Sequence, residues 1–163
     1  EALIRGGRRR IALINLEESS AAAQERQAGY RRALTRHSLP YDEALVRYTD
    51  DGQPDDGYHR MNELLALDTR PDAVFCANDR IAMGAYDAIK EHRLRIPRDI
   101  AVVGFDNQEV IAAYLRPALT TMALPHYEMG YWAVEYLTRA AAQGETAAEQ
   151  VALPCPLIMR ESV

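Results

Sequence analysis

Residues 71–107, PDAVFCANDRIAMGAYDAIKEHRLRIPRDIAVVGFDN, decide the fold. Two short apolar runs, Ala73–Cys76 and residues 100–105, lead into polar pairs, Asn78-Asp79 and Asp106-Asn107. Between them Ile81, Ala85 and Ile89 recur at helical spacing, and Pro97 stops the pattern. Short apolar runs flanking an amphipathic helix read as strand–helix–strand with the two strands parallel. Open α/β sheets bind ligands outside the carboxyl ends of their strands. Asn78 and Asp106 are therefore expected near one another at the rim of a cleft.

Working outward, residues 11–16 (IALINL) read as the first strand, followed by a helix over Ala21–Arg36 with Ser19 or Ser20 as N-cap. Ser38-Leu39-Pro40 ends that helix, and residues 44–48 form a second, weaker strand. Residues 50–57 (DDGQPDDG) are the strongest turn signal, and Met61, Leu64, Leu65 and Leu67 give the next helix an apolar side. Beyond the central unit come a short helix at 109–114, a strand at 119–124 and a long helix at 127–142, opened by Pro125 and ended by Gly144. Extended pieces at 150–153 and 156–159 close the chain. Five strands alternating with helices define an α/β fold with a doubly wound parallel sheet. The stripe Met129, Ala133, Tyr136, Leu137 and Ala140, with Trp132 beside it, comes after the sheet is complete and needs a second body to cover it.

Composition narrows the function. The chain has 163 residues, 48% hydrophobic and 26% charged, as a soluble globular domain has. No apolar run approaches the ~20 residues that span a bilayer. A net charge of −5 argues against this chain gripping nucleic acid by itself. The one basic cluster, Arg5, Arg8, Arg9 and Arg10, reads as a solvated approach to the first strand. Two cysteines, Cys76 and Cys155, do not make a disulfide framework and fit a reducing, cytoplasmic compartment.

Enzyme signatures are missing. There is no G-x-S-x-G elbow, no H-E-x-x-H helix and no P-loop, and His37, His59, His92 and His126 stand singly. No metal and no cofactor is expected. A strand-end aspartate can accept a phosphoryl group in a receiver-like fold, and Glu17-Glu18 would supply its acidic pair. The lysine such a site needs is absent from LTTMAL at 119–124, so an enzyme is not expected.

Binding chemistry fits better. Asp106 supplies an acceptor, Asn78 a donor and an acceptor, and Arg26, on the first helix, a fork of five donors. The three could surround a small polyhydroxylated ligand, the carboxylate taking hydroxyl protons and the guanidinium clamping adjacent oxygens. Each also has a plain structural alternative: Asn78 as a helix cap, Asp106 as a turn residue, Arg26 as a solvated helix arginine. On the helix after Asn78, Met83 and Tyr86 lie off the face carrying Ile81, Ala85 and Ile89 and are expected to form a contact surface.

At these residues the chain resembles the effector-binding domain of LacI/GalR-family transcriptional regulators. The matching pieces are GGRRRIALI, AAQERQAGYRRAL, PDAVFCANDRIAMGAYDAI, IPRDIAVVGFDN, PALTTM and EMGYWAVEYL, in the family's order along nearly the whole chain. The resemblance implies a type I periplasmic-binding-protein-like fold of two lobes around a cleft. Residues 1–124 would be the C-terminal lobe, and 125–163 the crossover helix and final strands returning to the other lobe. A helix-turn-helix reader of operator DNA would lie outside this chain. Arg26, Asn78 and Asp106 match the family's effector contacts. Leu124 stands where glutamine is common, and no aromatic is evident near Asp51-Gly52, so a typical disaccharide is not the expected effector. The resemblance also implies a homodimer contact at Met83, with Tyr114 nearby. The alternative is a periplasmic sugar-binding protein of a transporter, which shares the fold.

Overall fold

The computed structural model describes residues 1–143 and 148–163, and of Gln143 the backbone alone. β1 (Ile11–Asn15) is buried at every position, as a strand covered on both faces must be. It pairs in parallel with β2 (Val46–Tyr48) on one side and β3 (Ala73–Cys76) on the other. β4 (Ala101–Asp106) and β5 (Thr120–Ala123) extend the sheet in parallel. The full order is β2-β1-β3-β4-β5-β6, where β6 (Leu157–Ile158) runs antiparallel to β5. The α/β reading holds, with a sixth strand that the sequence pattern did not assign to this sheet.

Helices cover both faces. α1 (Ala2–Arg5) and α2 (Ala21–Arg36) lie over one, where Leu3, Ile4, Tyr30 and Leu34 pack on Ile11, Leu13, Ala73 and Val103. Ser20 caps α2 as expected, its hydroxyl accepting from Ala23 N at 3.1 Å. α3 (Pro54–Leu65) and α4 (Asp79–Glu91) lie over the other face, burying Met61, Leu64, Ile81, Ala85 and Ile89 against Ile14, Val74 and Val102. α5 (Glu109–Ala112) is a single turn, and α6 (His126–Gln143) is the long terminal helix.

α3 and α4 touch through their backbones. A Cβ at Gly57 would overlap the carbonyl oxygen of Ile81, and one at Gly84 would overlap that of Pro54. Pro54, read from sequence as part of a turn, is instead the first residue of α3, a position where its missing N–H costs nothing.

Three expectations are corrected. Tyr86 is fully buried, because α4 is wedged between the sheet and α3, and it offers no external contact surface. Residues 150–153 form no strand. The final strand does not leave for another lobe: β6 joins this sheet, and Ser162 Oγ donates to Val102 O at 2.7 Å while accepting from Thr120 N at 2.8 Å. Gly144, the expected stop of the last helix, lies outside the described residues. Of the expected stripe, Met129 and Leu137 are exposed while Ala133, Tyr136 and Ala140 are half-buried, and α6 also exposes Tyr127, Tyr131 and Val134 on its opposite side.

The close approach of α3 and α4 sets a test. Gly84→Ala should lower stability by about 2 kcal/mol or more, since the neighbour that must move is backbone. Denaturant unfolding would measure it, and a loss below about 0.5 kcal/mol would show that the helices can separate freely.

Candidate functional site

The site is built where β1, β3, β4 and β5 end. Asn15, the last residue of β1, is fully buried, and its amide donates to Ala23 O at 2.9 Å while its Oδ1 accepts from Leu16 N at 3.0 Å. That pair of bonds fixes the first turn of α2. Arg26, one turn further on, lays its guanidinium over the Phe105 ring, 4.4 Å from the centroid. Its Nε is buried with no hydrogen-bond partner among the described residues. Burial lowers the Arg26 pKa, opposed by the charge of Asp106.

Asp106 follows Phe105 at the end of β4, half-buried. Burial pushes its carboxyl above the usual range, while a bond from Gln108 and the charges of Arg26, His126 and Arg80 pull it back. The bond from Gln108 Nε2 is long, 3.5 Å, and most of the carboxylate's acceptor capacity faces no donor among the described residues. The backbone here is unusual: Asp106 has φ 105° and Asn107 φ 54°. Positive φ at non-glycine residues costs on the order of 1–3 kcal/mol each and persists only where surroundings enforce it.

The enforcing contacts come from three directions. Gln108 N donates to Asp79 Oδ2 at 2.7 Å, and Thr121 Oγ1 donates to Asp79 Oδ1 at 2.6 Å. Arg160 Nη2 donates to Asn107 Oδ1 at 2.8 Å, with its Nη1 on Leu119 O at 2.8 Å. The backbone of Leu124 meets Asp106 O across β4 and β5 at 3.4 Å. Asp79 is itself fully buried, and burial raises its pKa to about 6 despite the two donors.

The sequence-predicted residues divide into two groups. Arg26 lies over Phe105 and within electrostatic reach of Asp106, and the backbone of Leu124 meets that of Asp106. Asn78 is engaged elsewhere: its Oδ1 caps α4 at Ile81 N, 2.7 Å, and its Nδ2 donates to Gly52 O at 3.1 Å. One amide proton remains for a ligand. Met83 is half-buried and Tyr114 is 70% exposed, so these two, without Tyr86, keep accessible surface. Asn15, Asp79 and Arg160 were missed. Each acts through a tertiary partner; Asn15 and Asp79 left a trace as polar residues at or just beyond the end of a buried strand, and Arg160 left none. Among the described residues, no group of His, Cys, Asp and Glu could hold a metal ion.

An apolar groove of about 800 Å³ runs along the same sheet face beneath Arg26, floored by Phe75, Val103, Phe105, Met122, Leu124 and Leu157. Among the described residues no helix is long and apolar enough to cross a membrane.

A fold of this kind, with its polar groups gathered at the carboxyl ends of parallel strands, is that of a ligand-binding lobe. The chain belongs to the periplasmic binding protein-like domain family, whose model matches residues 1–163. It is 33% identical over 161 residues to the HTH-type transcriptional repressor PurR of Mannheimia succiniciproducens, covering 99% of this chain and 48% of the relative. The Ribose operon repressor of Haemophilus influenzae is 34% identical, over 100% of this chain and 48% of its own length. Among solved structures, a transcriptional regulator CelR–cellobiose complex superposes with TM-score 0.93 at 35% identity, over 99% of this chain and 49% of that one. A regulatory protein of LacI family from Chloroflexus aggregans gives 0.91 at 32% identity, over 99% and 57%. The resemblance to LacI-type effector-binding domains is thereby borne out. The chain spans about half the length of the curated relatives it matches.

Asp79 makes stability respond to pH. Its carboxyl holds a proton more tightly folded than unfolded, so its contribution falls as pH rises from about 4 to about 6. Asp79→Asn removes that slope. Stability of Asp79→Asn relative to the parent should therefore rise by about 2–3 kcal/mol between pH 4 and pH 7. Denaturant titrations at the two values would check it, and a constant difference would contradict a buried, proton-holding Asp79.

Proposed function

We propose that this chain is the effector-binding part of a LacI-type transcriptional regulator and that it senses a small sugar or related polyol at Arg26 and Asp106. The observation that carries the reading is the under-used pair itself: a half-buried carboxylate with open acceptor capacity beside a guanidinium whose Nε has no partner among the described residues. Vicinal hydroxyls satisfy both at once, donating to Asp106 and accepting from Arg26. Asn78, with one free amide proton, orients the ligand from the neighbouring strand end. Leu124 offers an apolar contact only. Two relatives, a ribose operon repressor and a regulator in complex with cellobiose, support a carbohydrate-like effector.

The rest of the regulator follows from the same reading. The exposed apolar residues of α6, among them Met129 and Leu137, pack on the second lobe, and the ligand bridges the two lobes. A shift in lobe angle then alters the spacing of two helix-turn-helix readers on operator DNA, and the ligand controls binding because it prefers one arrangement. The protein is a cytoplasmic homodimer, paired through the surface around Met83 and Tyr114, and performs no catalysis. The relatives' identity as transcriptional repressors supports this over a periplasmic transport role.

Two measurements test it. In a thermal-shift screen of the intact protein against sugars, sugar phosphates, polyols and nucleobases, one class should raise Tm selectively. Asp106→Ala should abolish that rise with the unliganded Tm within a few degrees of the parent. A rise that survives in Asp106→Ala would remove the site assignment. For the dimer, Tyr114→Asp should move the protein toward monomer in light scattering at micromolar concentration; an unchanged mass would place the contact elsewhere.

A further inference from the structure

Asp106 and Asn107 both hold positive φ, and neither is glycine. Left alone, such a turn relaxes, and the Asp106 carboxylate loses its aim at the rim. Two tethers bear on it. One is local: Gln108 N on Asp79, from the start of α4. The other is distant in sequence: Arg160 reaches back 53 residues to Asn107 Oδ1. Arg160 is not a surface arginine passing by chance. It is half-buried, its Nη1 is held by Leu119 O, and its own N–H donates to Thr120 Oγ1 at 2.9 Å. Both ends of the guanidinium are thus committed, one to Leu119 just before β5 and one to the turn. Arg160 stands two residues beyond β6, at the far end of the chain that leaves the sheet after β5 and returns after α6.

We propose that Arg160 is a positioning residue for the binding site: it holds Asn107 in its left-handed conformation and so sets where the Asp106 carboxylate points. The seating of the returning strand and the aim of the effector carboxylate become one linked setting. A displacement of residues 124–163 reaches Asp106 through this guanidinium rather than through the ligand. Arg160 touches no ligand in this scheme; it acts through Asn107. The assignment of Asp106 as the effector contact rests on the function proposed above, whereas the coupling of Arg160 to the turn does not.

The test reads the turn with no ligand present. Hydrogen exchange of the intact protein, followed by mass spectrometry with residue-level fragmentation, reports the amide of Gln108. Arg160→Met should speed its exchange at least tenfold. Adding Asn107→Gly to that variant should return the rate to within about threefold of the parent, because glycine adopts positive φ without steric cost. An arginine that merely anchors β6 would give fast exchange whatever residue stands at 107, and that result overturns the proposal. Should Arg160→Met fail to fold, Asn107→Ala and Asn107→Asp decide the matter. Alanine, which loses the acceptor, should exchange fast, and aspartate, which keeps it, should stay near the parent. Equal rates for the two overturn the proposal as well. If Asp106→Ala leaves ligand-induced stabilisation intact, the effector site falls, and these exchange rates still judge the tether.

Discussion

The Asp79 carboxylate is the constraint on which the site depends. Both of its oxygens are spent on neighbours far apart in sequence: the Gln108 N–H at the head of α5 and the Thr121 hydroxyl on β5. A buried carboxylate is costly unless its oxygens are paired. Here the pairing joins three elements at once, since Asp79 itself opens α4. Gly104 belongs to the same arrangement. A Cβ at that position would overlap Asp79 Oδ1 and lie 2.9 Å from Leu119 Cδ2. The fold therefore admits the carboxylate only by leaving β4 bare beside it.

With α4, α5 and β5 joined there, the turn after β4 has little freedom, and the positive φ values at Asp106 and Asn107 follow from that confinement. The carboxylate at 106 is left half-buried, with only the long bond from Gln108 Nε2 among the described residues. Arg26 is delivered independently, from the opposite face of the sheet, by the Asn15 bond that sets the first turn of α2. The two groups do not collapse onto each other because the Phe105 ring holds the guanidinium by its face. A ligand can then satisfy donors and acceptors that the protein has kept apart.

The sequence exposed most of this scaffold because parallel strands covered on both faces read as unbroken apolar runs, as at Ala73–Cys76 and residues 11–14. Caps were legible for the same local reason: Ser20 stands directly before its helix, and Asn78 before α4. Tyr86 was misplaced because a single apolar stripe describes a helix covered on one side, and α4 is covered by the sheet and by α3 together. The glycines that permit the second contact, Gly57 and Gly84, carry no periodic signal. β6 was misassigned because two residues between prolines and a polar tail show no alternation. What places it is the Ser162 hydroxyl bridging Val102 and Thr120. Arg26 and Asp106 were proposed from donor and acceptor chemistry, on α2 and at the end of β4, whereas Asp79 and Arg160 work through tertiary partners that no spacing in the sequence indicates.

Asn78 shows why chemistry alone over-reads a site. An amide at a strand end can orient a ligand, but here it first closes two obligations of the fold, the α4 N-terminus and the Gly52 carbonyl. Under the proposed function its contribution to binding is limited to one proton, while its contribution to the site's shape is larger, because it fastens the loop after β2 to the end of β3. Removing it would disturb affinity and stability together. Asp106, whose only side-chain bond among the described residues is long and local, separates the two. A residue that the fold does not need for its own hydrogen bonding is the one free to be spent on a ligand, and under the proposed function that criterion assigns recognition to Asp106 and support to Asn78.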